Sequence, residues 1–345
     1  MRGHVTSRSR DYSVASTLHD KFTQSLRKLC QIEAQRLSGS PEGFRWAYLE
    51  EQFLSKFDDG SPETAAERKS AAISKWQLME LRNARTNVRF FCGVLPTNFI
   101  GRNEEVLSSE RILSKAKEIV ASVLGEAPDL EVLYGTFSDG ASTGFTRGEV
   151  AAKFRMGADV TGPCLARFQS ILESCETWKM YRGPLVPNVV VGGSLFTVPK
   201  NSEIDRCAIK EPELNMWCQK GIGNFIREAV RRKLRLNLND QTRNQRLAQK
   251  GSIDGSTATL DLSSASDLMS IEFVRLMLPS AWFDLLDDCR SQSVIVDGKV
   301  QTLNMFFSMG NGFTWELWSL LFAALTHAVT WSTGSRGQIS VYGIS

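Results

Sequence analysis

The stretch TATLDLSSASDLMS, Thr257–Ser270, places Asp261 and Asp267 on either side of a run of small hydroxyl residues. Alternating threonine and apolar residues predict a strand that ends near Asp261, then a turn at Ser263–Ser266, then a helix from about Leu268 to Leu278. Fully extended, the two aspartates would stand roughly 20 Å apart at about 3.3 Å per residue, so they share a site only if the chain turns back between them. A strand, turn and helix with an acid on each side is a platform for a cation and a sugar. The same spacing also suits an Asp267 whose charge simply favours a helix N-terminus. A second block, SMGNGFTWELWSLLFAALTHAV, begins at Ser308. Its Gly310-Asn311-Gly312 loop lets backbone approach a ligand, and the helix that follows offers its N-terminus to phosphate. Asn311 or Thr314 would serve equally well as a cap. Upstream, TVPKNSEIDRCAIKEP holds Lys200, Arg206 and Lys210 in a mostly polar stretch, cations enough for a triphosphate. GQISVYGIS is a β-branched strand running into Tyr342-Gly343.

These residues need elements to hold them. The chain has 345 residues, 42% apolar and 23% charged, which allows a sizeable core and excludes disordered, collagenous and low-complexity classes. Lys and Arg number 41 against 38 Asp and Glu, a formal net charge of +3, so the local placement of charge decides about nucleic acid. Seven cysteines stand singly with no CxxC pair, and the three histidines, His4, His19 and His327, are dispersed. That pattern fits reduced thiols in a cytosol and no zinc site of familiar spacing. The basic N-terminus lacks the apolar stretch of a signal peptide. Trp315–Trp331, interrupted by Glu316 and His327, reads as a buried helix and not as a bilayer span.

Residues 15–90 carry apolar residues at spacings of three and four, and GSPEG and DDGSPET punctuate them as turns. Ser108–Leu124 is a further helix with Ser108 or Ser109 as its cap. LYGTFSDGASTGFTRG reads as a surface loop, and VPNVVVGGSLFTVPK as two strands around a Gly-Gly turn. Between Phe225 and Lys250, Arg227, Arg231, Arg232, Lys233, Arg235, Arg243, Arg246 and Lys250 face only Glu228 and Asp240. Two readings are open there: a solvated helical face, or arginines and amides that contact phosphate and sugar.

In this order, TVPKNSEIDRC, ELNMWCQKGIG, LNLNDQTRNQR, TLDLSSASD, SMGNGFTWEL and VYG resemble the RNA-directed RNA polymerases of the single-stranded RNA bacteriophages, the levivirus replicase catalytic beta subunit. The resemblance is clearest from Phe196 to Gly343, while RNARTNVRF and the Gly135–Thr143 stretch are compatible but less specific. It implies an α+β fold, a right-hand polymerase with fingers and an incomplete palm and no thumb. Residues 1–255 would form the largely helical N-terminal and fingers region, and 256–345 the palm with motifs A, B and the start of motif C. TLDLSSASD matches motif A, which implies that Asp261 is the catalytic, metal-binding carboxylate and that the Leu262 carbonyl is a further ligand. Asp267 would lie by the incoming ribose. Gly310, Asn311 and Thr314 match motif B, with Asn311 set against a 2′-hydroxyl. Lys200, Arg206 and Lys210 match motif F around the triphosphate, and Arg227, Arg231, Arg232, Arg235, Arg243 and Arg246 become RNA contacts. The family also implies two Mg2+ ions, single-stranded RNA and nucleoside triphosphates as substrates, host elongation factors Tu and Ts and a ribosomal protein as partners, no membrane, and the cytoplasm of a bacterial host.

The family pattern departs at Tyr342-Gly343-Ile344-Ser345, where Tyr-Gly-Asp-Asp is expected. Two-ion nucleotidyl transfer needs several carboxylates converging on ions about 3.5–4 Å apart. The expectation is therefore a polymerase fragment, inactive alone, with a non-catalytic RNA-binding protein as the alternative. The Asp287-Asp288 pair in WFDLLDDCR reads as a helix end and not as a substitute.

Overall fold

A computed structural model of the chain describes residues 8–51, 62–101, 104–148, 150–155, 158–174, 176, 187–201, 204–240, 242–335, 337 and 339–341. It is mixed helix and sheet, in keeping with an α+β class. Two compact units share it. One is Met1–Gln77 with Thr197–Cys207, the other Leu78–Phe196 with Ala208–Ser345. Residues 256–345 fall in the second unit, together with 78–196 and 208–255.

The amphipathic spacing of residues 15–90 becomes three helices: α1 (Arg8–Arg36), α2 (Pro41–Leu49) and α3 (Pro62–Phe91). Ser40 starts α2 by accepting the Gly43 N–H at 3.1 Å, and Pro41 at the first helical position gives up no hydrogen bond. A short hairpin, β1 (Phe99–Ile100) and β2 (Val106–Leu107), precedes α4 (Ser109–Leu124). Ser108 is the cap, accepting from Arg111, while Ser109 donates its hydroxyl to the Pro96 carbonyl at 2.6 Å.

The second unit is built around α7 (Glu213–Leu234). Short α5 (Val150–Arg155), strand β3 (Ala158–Thr161) and α6 (Gly162–Ser174) come before it in sequence, and α8 (Thr242–Asp254), α9 (Ile271–Met277), α10 (Ser280–Cys289) and α11 (Thr314–Ser332) after it. Fully buried Trp282, Phe306, Phe313, Leu317, Leu320 and Leu321 sit in one core with Leu214, Ile222 and Ile226 of α7. Trp282 satisfies its indole N–H on the Gly125 carbonyl at 3.0 Å, as a buried indole must. The apolar stretch from Trp315 is the buried α11, and no helix among the described residues is long and apolar enough to cross a membrane. The six described cysteines are free thiols.

The two strands around Gly192-Gly193 form, but they do not pair with each other. β4 (Pro187–Val190) runs parallel to β3, whereas β5 (Gly193–Pro199) enters a sheet ordered β6-β5-β7-β8 with β6 (Asp205–Lys210), β7 (Ser293–Val296) and β8 (Lys299–Thr302). The glycines serve close approach and not a hairpin turn: a Cβ on Gly192 would lie 1.9 Å from the Ser293 carbonyl oxygen.

Candidate functional site

Motif A differs from its expectation. Residues 256–262 form no strand; Leu260 is 81% exposed and Asp261 is exposed. A β-branched run becomes a strand only against a partner that supplies its hydrogen bonds and cross-strand contacts. The expected partner is the stretch running into Tyr342-Gly343, and it is described only as far as Val341. There it lies elsewhere: Ser340 donates its hydroxyl to Asn244 Oδ1 on α8, and Asn244 Nδ2 reaches the Val341 carbonyl at 3.4 Å. The expected closeness of Asp261 to Gly343 falls outside the described residues.

The turn between the aspartates is present. Residues 263–265 turn, with Ser264 at φ +54°, and Ser266–Leu268 form a single 3-10 turn. Asp267 N–H donates to the Ser264 carbonyl at 3.1 Å. Ser270 then caps α9 by accepting the Phe273 N–H, so this helix starts three residues later than the sequence suggested.

A polar stripe on α3 fixes both this turn and the approach to motif B, and sequence reasoning missed it. Asn83 donates to the Asp267 carbonyl at 2.7 Å. Asn87 accepts the Glu272 N–H and donates to the Asn304 carbonyl, both at 2.9 Å. Glu80, 3% exposed, accepts the backbone N–H groups of Asn304 and Met305 at 2.7 and 2.8 Å. The signal was available: Glu80, Asn83 and Asn87 are spaced i, i+3, i+7, one helical face, on a helix whose other polar positions are mostly exposed.

Motif B is a close-packed loop. Gly310 has φ +109°, and a Cβ there would meet the Ile209 carbonyl oxygen at 2.2 Å. Ile209 N–H in turn donates to the Met309 carbonyl at 2.9 Å, so the loop lies on the β6 strand just before Lys210. Asn311 Oδ1 accepts the Phe313 N–H at 3.0 Å. Its buried Nδ2 has no hydrogen-bond partner among the described residues. Thr314 spends its hydroxyl on the Ser308 carbonyl at 3.0 Å, closing the loop at the start of α11.

The motif F cations divide between the compact units. Exposed Lys200 and Arg206 belong to the first unit and half-buried Lys210 to the second, where its ammonium lies 5.3 Å from the centre of the Phe196 ring. The Gly- and hydroxyl-rich loop before α5 is more firmly built than a surface loop need be. Lys153, with no exposed surface, donates to the Ser138 and Gly140 carbonyls at 2.9 and 2.5 Å. Glu213 at the start of α7 accepts the Gly144 and Asp159 N–H groups at 2.8 and 2.7 Å.

The basic run sorts into distinct environments. Arg227 donates through Nε to Glu316 Oε1 at 3.1 Å and also through a terminal nitrogen, while its other nitrogen binds Asn239. Glu316 is 3% exposed and Arg227 itself 27%, so this arginine neutralises a buried carboxylate on α11. Its i, i+4 neighbour Arg231 pairs with Glu228 in the open, as does Arg232. The Arg231 hydrogen bond holds the Glu228 carboxyl below its ordinary range, and Glu228 raises Arg231 in return. Arg235 ends α7 in the left-handed conformation. With Arg243, Asn237, Asp240, Asn244 and Ser340 it lines a small polar cavity of about 110 Å³. Arg246 is exposed on α8. Asp287 and Asp288 are held by Arg290 and Arg167 at 2.6 and 2.5 Å, in keeping with their reading as structural residues of a helix end.

The second unit thus presents an exposed acidic turn clamped by a polar helix face, a glycine loop packed on a lysine-bearing strand, and a basic surface. These features sit on a protein of mixed helix and sheet. A family model described as RNA replicase, beta-chain, matches residues 5–344, and the chain belongs to that family. It is 37% identical over 313 residues to the RNA-directed RNA polymerase beta chain of Enterobacteria phage GA, covering 88% of this chain and 57% of that one. To the same-named chain of Escherichia phage MS2 it is 38% identical over 304 residues, 86% of this chain and 54% of the relative. The RNA-directed RNA polymerase subunit beta of Escherichia virus Qbeta is 35% identical over 320 residues, 91% and 52% of the two chains. The chain spans a little over half the length of these relatives.

Proposed function

We propose that this chain supplies the template- and nucleotide-handling part of an RNA-directed RNA polymerase that copies a phage RNA genome. One observation supports the reading above others: the family match runs from residue 5 to 344, across every motif whose residues could handle a nucleotide. In a right-hand arrangement, the helical part would serve as fingers and the segment with motifs A and B as palm.

Asp261 is the metal-binding carboxylate in this reading, with the Leu262 carbonyl beside it. The donors are hard oxygens, which suit magnesium, an ion that keeps several waters and takes one or two carboxylates together with substrate phosphates. Among the described residues no three His, Cys, Asp or Glu side chains converge as a metal site, so Asp261 suits one ion shared with a triphosphate. Bound magnesium would neutralise phosphate charge and polarise the reacting phosphoryl group. The protein's own residues do the rest. Within the second unit Lys210 attracts the triphosphate, and Asp267, fixed through its backbone by Asn83, faces the ribose; Lys200 and Arg206, in the first unit, are further candidate cations for phosphate. The unpartnered amide of Asn311 is the kind of donor that a 2′-hydroxyl satisfies, discriminating RNA precursors from DNA precursors. Gly310 and Thr314 keep that loop closed on β6, and Arg231, Arg232, Arg235, Arg243 and Arg246 track the RNA backbone. Elongation factors Tu and Ts and a ribosomal protein of the bacterial host are the proposed partners, and the host cytoplasm the proposed location.

Titration of the 345-residue polypeptide with a fluorescent purine nucleoside triphosphate, with and without magnesium, tests this. Magnesium-dependent binding that weakens in both Lys210→Ala and Asp261→Asn is expected. Binding that is indifferent to magnesium and to both substitutions would sink the assignment.

A further inference from the structure

Gln219 lies in the middle of α7 with no exposed surface. Its side chain joins three segments. The amide oxygen accepts the Gly312 N–H at 2.9 Å, and the amide nitrogen donates to Glu211 Oε2 at 3.1 Å and to the Cys289 carbonyl at 2.9 Å. Glu211 directly follows Lys210, and its Oε2 also accepts the Ser291 hydroxyl at 2.7 Å. A continuous buried chain of hydrogen bonds therefore runs from the end of the lysine-bearing strand to the motif B loop.

The residue type is the one this position needs. Gly312 stands just before α11, where backbone N–H groups have no partner inside the helix and require an acceptor. Glu211 and the Cys289 carbonyl require donors. A carboxamide supplies one acceptor and two donors together; a glutamate has no donor, a lysine no acceptor. Backbone contacts leave little slack around it. A Cβ on Gly312 would lie 2.9 Å from Gln219 Cβ, and one on Gly223 would lie 2.6 Å from the Gly312 carbonyl oxygen. The loop is thus pressed on α7 on one side and on Ile209 on the other.

We infer that Gln219 is a positioning residue. Through Glu211 and Gly312 it fixes the spacing between Lys210 and Asn311, and hence between the phosphate end and the ribose end of a bound nucleotide. This rests on the proposed function for the role of Lys210 and Asn311, whereas the coupling itself rests on the hydrogen bonds alone.

Hydrogen–deuterium exchange on the full 345-residue polypeptide separates the two. In Gln219→Glu the loop N–H keeps its acceptor, but Glu211 and Cys289 lose their donor and two carboxylates face each other. Exchange in peptides covering 205–213 and 305–316 should rise about tenfold, the effect of a lost buried hydrogen bond, with α4 unchanged. Adding Glu211→Gln reverses the polarity of the pair, since the new amide donates to the new carboxylate, and should bring both segments back to within about threefold of the wild type. Gln219→Met, of similar volume and without any of the three bonds, is read in the same way should Gln219→Glu fail to fold. Wild-type exchange in the single variant, or a double variant no better than the single, overturns the coupling. Nucleoside triphosphate affinity, measured with the same fluorescent probe, should fall with the single variant and recover with the double. Undiminished affinity in a variant whose loop has loosened overturns the positioning role. If the wild type binds no triphosphate, the proposed function fails, and exchange alone decides the coupling.

Discussion

Replacing Arg227 with Ala is expected to cost stability and to spare RNA binding. Its guanidinium makes two hydrogen bonds to Glu316, whose side chain is 3% exposed, while that of Arg227 itself is 27% exposed. Without the arginine a carboxylate stays buried on α11 with its cation gone. Breaking a buried pair from one side costs about 3–5 kcal/mol, and the partial exposure of Arg227 places this case near 3. In a unit of this size each kcal/mol moves the melting temperature by about 2–4 °C, so a drop of roughly 6–12 °C follows. Adding Glu316→Gln removes the stranded charge and should recover part of the loss, the non-additivity expected of a contacting pair. Differential scanning calorimetry on the four corners of this cycle, beside a salt titration of RNA binding, reads both effects. An Arg227→Ala variant that melts with the wild type but loses RNA affinity would refute the reasoning and return this arginine to the RNA surface.

The other basic residues should behave in the opposite way. Neutralising Arg231, Arg232 and Arg235 together should leave melting nearly unchanged, weaken single-stranded RNA binding and flatten its salt slope by up to about 2, at about 0.7 per phosphate contact; an unchanged affinity and slope would make this a solvated helix face. Glu80→Ala strands the buried N–H groups of Asn304 and Met305 and should cost about 2–4 kcal/mol in urea unfolding, with a loss below about 1 counting against the α3 clamp. Burial raises the Glu211 carboxyl above its ordinary value of 4.5, opposed by the Ser291 and Gln219 hydrogen bonds. Its contribution to stability is therefore full below about pH 4.5 and is lost as pH rises through the folded value. Glu211→Gln keeps an acceptor and drops the charge, so its stability relative to the wild type should improve as pH rises from 4.5 to neutrality; a gap that is constant or shrinks would contradict this.

Local signals were legible where the local sequence alone determines the outcome. The helical spacing of residues 15–90, the Ser108 cap and the buried character of α11 depend on neighbours within one or two turns, and all are present. Pairing between distant segments was not legible. The two strands flanking Gly192-Gly193 look like a hairpin because nothing in VPNVVVGGSLFTVPK says that β3 and β7 offer better partners. TATLDL has the composition of a strand, yet a strand exists only beside another, and none of the described residues pairs with it. The ion pair of Arg227 was hidden for the same reason. Its charge was visible, but Glu316, 89 positions away, was not, and only packing of α7 on α11 brings them together. Gln219 was hidden because a buried amide and an exposed one are spelled alike, whereas the α3 stripe could have been read from its spacing.

The most direct measurement is labelled nucleotide incorporation on an RNA template with magnesium. It compares the 345-residue polypeptide with a chimera that continues, from Tyr342-Gly343, into the corresponding remainder of the phage GA beta chain. Among the described residues the polypeptide offers one carboxylate at the proposed metal position, Asp261, and incorporation at background is expected of it. The chimera, assembled with the proposed host factors, should incorporate template-directed nucleotide and lose it on Asp261→Asn. Incorporation by the chimera that survives Asp261→Asn would contradict the assignment of Asp261, and template-dependent incorporation by the 345-residue polypeptide alone would contradict the need for further carboxylates.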